Sequence, residues 1–139
     1  MKKNYFIWFL KMSRVYNVKK AELKKIGYSS LEEWLAADTS NVYIGRNMVA
    51  YVPGAKQSIW KNPFTVKKCG LEQSLQMYYQ HIISNLDLMQ RLRNGELTGK
   101  NLGCWCVDNH QVIDKDSYKT IGWKCHGQVI MFIITQLGN

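Results

Sequence analysis

The longest regular pattern of apolar positions runs from Leu71 to Leu92. Leu71, Leu75, Tyr78, Ile82, Leu86 and Met89 recur three or four residues apart, which is one stripe of an amphipathic helix. Asn85 is expected to divide this stretch into two helices, and Asn94-Gly95 to end it. Gly127 to Leu137 is apolar on nearly every side and reads as a helix buried against a sheet, with a central strand as the alternative. Three shorter runs, Val15 to Val18, Asn41 to Gly45 and Leu102 to Cys106, have the β-prone composition of strands. Ser29 to Leu35 reads as a short helix, with Ser30 as its cap and Glu33 in the capping-box position. Residues 47–57 contain Pro53-Gly54 and read as an excursion or hairpin, and Pro63 argues against a central strand nearby.

The order strand, helix, strand, helix, strand, helix predicts an α/β fold. The expectation is a single small domain, a two-layer or three-layer sandwich with a partly parallel sheet. Met12 is a second candidate start, so residues 1–11 are read as an N-terminal extension or a short element of their own. Residues 12–139 then form one domain, with a polar insertion loop at 107–124.

Composition narrows this picture modestly. A chain of 139 residues with 46% hydrophobic and 12% aromatic content can bury one core and is not disordered. The apolar run Tyr5 to Leu10 is too short to span a bilayer and lacks a cleavage site, so no membrane association and a cytoplasmic location are expected. The formal charge of +9 favours anionic partners, either a small anionic ligand or nucleic acid, although solubility accounts for it equally well. Lys19-Lys20 and Lys24-Lys25 form a basic face near Tyr16 and Tyr28; such a face is read either as solvated or as a surface for single-stranded nucleic acid.

The candidate chemistry lies in Cys104-Trp105-Cys106 and Cys125-His126. In a strand, Cys104 and Cys106 face the same side. Cys125 and His126 stand at the start of the last helix, where free N–H groups favour thiolates. In a reducing compartment this clustering points to metal or catalysis more than to a disulfide. Three readings stay open. Cys104, Cys106, Cys125 and His126 are ligands of a zinc ion, or Cys106 is a nucleophile with His126 as its base, or the cysteines are packing residues. Arg46, just past a strand, is placed to hold a phosphate or carboxylate, or to pair with a surface acid. Asn62 binds a ligand amide or closes the turn at Pro63-Phe64. Cys69, His81 and His110 are read as surface or packing residues.

Taken together, Val42-Tyr43-Ile44-Gly45-Arg46, Trp60-Lys61-Asn62-Pro63-Phe64, Gly103-Cys104-Trp105-Cys106 and Cys125-His126-Gly127 occur in an order that resembles domain-of-unknown-function family 4326, seen in bacteria, phages and large DNA viruses. The resemblance covers roughly Val15 to Leu137. It implies that Arg46, Trp60, Asn62, Phe64, Cys104, Cys106, Cys125 and His126 are signature positions, without assigning their roles. It implies a viral or phage-type protein, in host cytoplasm or virion. Residues 107–124 depart from the pattern, since relatives have a short, proline-containing link there. Three functions are carried forward: binding or processing of a nucleotide-like anion at a Cys/His/Arg pocket with Arg46, Trp60, Asn62 and Phe64; a zinc-stabilised module for nucleic acid or protein; and a basic structural or accessory protein.

Overall fold

A computed structural model of the chain describes residues 13–105 and 122–138. Among the described residues three strands form one sheet: β1 (Arg14–Asn17), β2 (Asn41–Tyr43) and β3 (Asn101–Cys104). Their order is β1-β3-β2, and both pairings are parallel, so the described sheet is wholly rather than partly parallel. The last strand in sequence therefore fills the centre. Val15, Leu102 and Val42 lie level across the sheet, as do Tyr16, Gly103 and Tyr43.

Alternation along these strands sends their side chains to two different layers. Val15, Leu102, Cys104 and Ile44 enter the larger core, with α4 (Leu71–Ile83), α5 (Leu86–Arg93) and α6 (His126–Leu137). Val18, Tyr43 and the half-buried Tyr16 enter a smaller core, with α1 (Lys20–Lys25) and α2 (Leu31–Ala37). The result is the three-layer form of the expected sandwich. A single helical turn, α3 (Val66–Cys69), precedes α4. Among the described residues, no helix is long and apolar enough to cross a membrane.

Local chemistry explains the boundaries. Asn85 does divide the long apolar stretch, because its Oδ1 accepts from the Leu88 N–H and starts α5. Ser30 caps α2 by accepting from the Glu33 N–H. The Glu33 carboxylate reaches one residue further back than a capping box requires, to the N–H and hydroxyl of Ser29. These bonds hold it below the usual carboxylate pKa. The segment 47–57 is an excursion without strands, closed by the Met48 N–H on the Ala55 carbonyl.

Two glycines set the spacing of the layers. A Cβ on Gly103 would meet Val18 at 2.7 Å and Trp34 at 2.8 Å, so the central strand is bare where Trp34 lies against it. A Cβ on Gly127 would meet Val15 at 2.9 Å and Ile44 at 3.2 Å, so the first turn of α6 rests directly on the sheet.

Candidate functional site

The contact at Gly127 fixes the neighbouring chemistry. Parallel strands open their carboxyl ends on one edge of the sheet, and in α/β folds ligands bind there. Cys104 is the last residue of β3, and Ile44 follows β2 directly. The amino end of α6 abuts this edge, bringing Cys125 and His126 against them. Cys125 is the extended N-cap residue of α6 and His126 the first helical one. The change of backbone conformation between them turns two adjacent side chains toward one place.

Cys104, Cys125 and His126 each offer a ligand atom, and the three atoms lie within 4.8 Å of one another, all in buried residues. The sulfurs of Cys104 and Cys125 are joined as a disulfide, with Cα atoms 7.6 Å apart. This corrects the expectation of reduced, unpaired thiols. The pairing follows from position: Cys104 faces the α6 layer by strand alternation, and Cys125 caps the helix that covers it. The Cys125 sulfur also accepts from the Gly127 N–H at 3.3 Å. Gln128 Oε1 accepts from the N–H groups of Cys125 and Lys124 and closes the cap from the other side.

His126 is 4% exposed. Its Nε2 lies 2.7 Å from the Ile44 carbonyl oxygen. A carbonyl only accepts, so Nε2 carries the hydrogen and the lone pair of the neutral ring is on Nδ1. Burial pushes the imidazole pKa down to about 4, against a smaller opposing effect of the Ile44 bond. The ring is therefore neutral at physiological pH. Tyr78 of α4 packs edge-on against it, with ring centres 5.2 Å apart.

Of the other predicted residues, Trp60, Asn62 and Phe64 form a clip onto α4. The Trp60 carbonyl accepts from Tyr78 OH at 2.6 Å. Asn62 closes its turn by accepting from the Phe64 N–H, and its Nδ2 donates to Ser74 Oγ. Ser74 Oγ donates in turn to the Phe64 carbonyl. Tyr78 links this clip to the cluster, since its hydroxyl bonds Trp60 and its ring meets His126. Arg46 is exposed and lies two residues beyond the carbonyl that holds His126. Its backbone is tied to the strand by Tyr43 OH, which donates to the Arg46 carbonyl and accepts from Trp105 Nε1. Gly45 has no room for a side chain beneath Tyr43, where a Cβ would come within 2.8 Å of the hydroxyl oxygen and two ring atoms. His81 packs between Phe64 and Tyr78, and Cys69 is half-buried at the end of α3. Cys106 and His110 lie outside the described residues.

Two contributors carry little signal in the sequence. Tyr78 reads only as one member of a helical stripe. Asn17, fully buried, is the register partner of Cys104 at the same edge. Its one signal is a polar residue at the end of an apolar strand.

Residues 30–136 match a family described as a domain of unknown function, DUF4326. Over 96 residues the chain is 38% identical to uncharacterized protein R718 of Acanthamoeba polyphaga mimivirus; the match takes in 66% of this chain and 64% of the relative. The chain thus spans somewhat under two thirds of that protein's length. No solved structure matches. The family match covers most of the chain, including the Arg46 turn, the Trp60 clip and the Cys/His cluster, and the chain belongs to the DUF4326 family.

Proposed function

We propose that the domain binds a transition-metal ion, zinc by its ligand chemistry, when Cys104 and Cys125 are reduced. The observation that carries this is the meeting of Cys104, Cys125 and His126 ligand atoms within 4.8 Å at the carboxyl edge of the sheet. Two thiolates and a neutral imidazole suit tetrahedral zinc. The two thiolate charges would balance the ion, which matters in a site shielded from water. A metal-bound histidine characteristically donates its other ring N–H to a carbonyl or carboxylate, and Ile44 receives that bond here. Once the bond is reduced, both sulfurs become ligands of the kind zinc holds at about 2.3 Å. Cys106 is the further ligand proposed from the sequence.

The test is metal analysis of protein purified under anaerobic, reducing conditions. The expected result is about one equivalent of zinc per chain, falling severalfold in Cys104→Ser and His126→Ala. Cobalt substitution adds a thiolate-to-metal absorption that a purely structural role of these residues would not produce. Less than about a tenth of an equivalent in folded, reduced protein would sink the reading.

A second reading is favoured by Arg46. Its position beyond Ile44, at the edge that α6 meets with its amino end, supports a small, nucleotide-like anion bound or processed there. Cys106 and His126 would stand at the reacting centre. Titration with a nucleoside monophosphate, in wild type and Arg46→Ala, separates the two readings. An anion affinity that depends on Arg46 but not on reduction or metal supports this one.

A further inference from the structure

The other face of the sheet carries a cleft that the Cys/His cluster does not use. It has a volume of about 490 Å³ and is lined by Tyr16, Tyr28, Trp34, Asp38, Asn41 and Asn101, among others. That size accommodates a nucleoside-sized ligand. Tyr16 and Tyr28 are half-exposed, whereas Trp34 is buried. The Tyr16 and Trp34 rings are 5.7 Å apart and inclined by 47°.

The polar floor has a fixed polarity. The Trp34 carbonyl only accepts, so the Asn41 amide group donates to it, at 2.8 Å. Asn41 Oδ1 then faces Asn101 and accepts from its Nδ2. Asn101 is thereby left with its own Oδ1 as an acceptor and one Nδ2 hydrogen as a donor. Asp38 uses one carboxylate oxygen to accept from the Ser40 N–H. Its second oxygen has no partner among the described residues. Asp38 and Asn101 thus offer acceptors beside aromatic rings, with an amide hydrogen of Asn101 as a neighbouring donor, and a flat ligand bearing an amino group complements them.

Residues 19–38 carry four lysines and four carboxylates, and the lysines all lie on or beside α1. Lys19, Lys20 and Lys24 are exposed around α1, and none is in an ion pair with another described residue. Lys25 pairs with Glu22 on the same helix. The chain as a whole carries +9. Acidic Glu32 and Glu33 lie on α2, but the Glu33 carboxylate is occupied by Ser29.

We propose that this cleft receives an amino-bearing base of a single-stranded nucleic acid. Tyr16 and Tyr28 stack on the base, Asp38 and Asn101 accept from its amino group, and the α1 lysines attract the flanking phosphates. A methylated ammonium group is the competing occupant for an aromatic site with a carboxylate. It is disfavoured because Trp34 is buried and offers a cation almost no open face. The cleft joins two parts of the chain: Tyr16 and Tyr28 precede the segment matched to the family, and the other four residues lie within it.

Fluorescence anisotropy with labelled single strands of oligo-dA, oligo-dC and oligo-dT, each about ten nucleotides long, tests this. Saturable binding is expected, tighter for dA and dC than for dT. Tyr28→Ala and Asp38→Ala each weaken dA binding by about tenfold or more, in line with the stacking contribution of one base. Tyr28→Phe keeps the ring and the affinity. Lys24→Gln weakens all three strands alike and lowers the salt slope by about one. Tyr28 and Asp38 are surface-accessible, and circular dichroism verifies folding of each variant. Three results would overturn the proposal: affinity unchanged in both Tyr28→Ala and Asp38→Ala, displacement of the oligomer by a trimethyl-lysine peptide, or free AMP binding as tightly as the oligomer.

Discussion

The two faces of one three-stranded sheet have been used in opposite ways. On the α4–α6 face the layer is closed. Gly127 lets the first turn of α6 rest on Val15 and Ile44, and the polar groups there, Cys104, Cys125 and His126, are sealed in and bound to one another or to the backbone. On the α1–α2 face the layer is short and leaves a cleft beside Tyr16 and Tyr28. A closed face suits chemistry that needs fixed geometry and exclusion of water. An open face suits a ligand that arrives from solution and leaves again. The difference is built from helix length: α6 has 12 residues, while α1 and α2 have 6 and 7.

Trp34→Ala tests this contrast most severely. Trp34 anchors the short layer over Gly103, and its loss removes a large buried ring from the smaller core. The expected cost is about 3–5 kcal/mol in urea denaturation. If the faces are as separate as their two cores suggest, the Cys104–Cys125 bond still forms in the folded fraction of this variant. A variant that fails to form the bond while still folded would break the comparison.

Acid exposes the closed face next. The folded chain refuses a proton on His126 until about pH 4, whereas the unfolded chain takes it near 6.5. The unfolded state therefore binds more protons between these values, and stability is full above pH 6.5 and lost as pH falls toward 4. For the metal-free, disulfide-bridged protein the loss is on the order of 3 kcal/mol. Denaturation midpoints across this range, compared with those of His126→Gln, isolate the histidine. Equal pH slopes in the two proteins would show that His126 is not sealed from water.

Tyr78→Phe makes the smallest and sharpest cut. It removes the hydroxyl that donates to the Trp60 carbonyl but keeps the ring beside His126. A loss of about 1–1.5 kcal/mol is expected, with the disulfide and any metal affinity unchanged. A fall in metal affinity would mean that the Trp60 clip and the cluster act as one unit.

The sequence made the architecture legible where one periodicity spoke for one element. The stripe from Leu71, the break at Asn85 and the capping by Ser30 are local effects, and local effects are written in neighbouring residues. The wholly parallel sheet and the central place of β3 depend on contacts between distant segments, which no single window contains. The candidate site divides in the same way. Cys104, Cys125 and His126 were recognisable by residue type, and their mutual approach within 4.8 Å was not. Adjacent Cys125 and His126 can face one site because the backbone changes from extended to helical between them, a change that residue types alone do not reveal. Asn62 kept two readings because its side chain has both a donor and an acceptor; in the fold these face Ser74 and the Phe64 N–H. The α1–α2 cleft left only a trace, the lysines and tyrosines of residues 16–28, because its floor comes from Asn41 and Asn101, far along the chain.

The bond between Cys104 and Cys125 has a topological consequence. These residues stand 21 positions apart in sequence, and the chain between them is a ring closed by a covalent link. Just before the link, Trp123 is pinned against Tyr79 and Phe132, so the returning arm is moored to α4 and α6 as well. Such a link removes conformational freedom from the unfolded chain, so its reduction is expected to lower stability by about 2–4 kcal/mol. A nick within the ring would leave one covalent molecule, with both halves still tethered at the edge of the sheet.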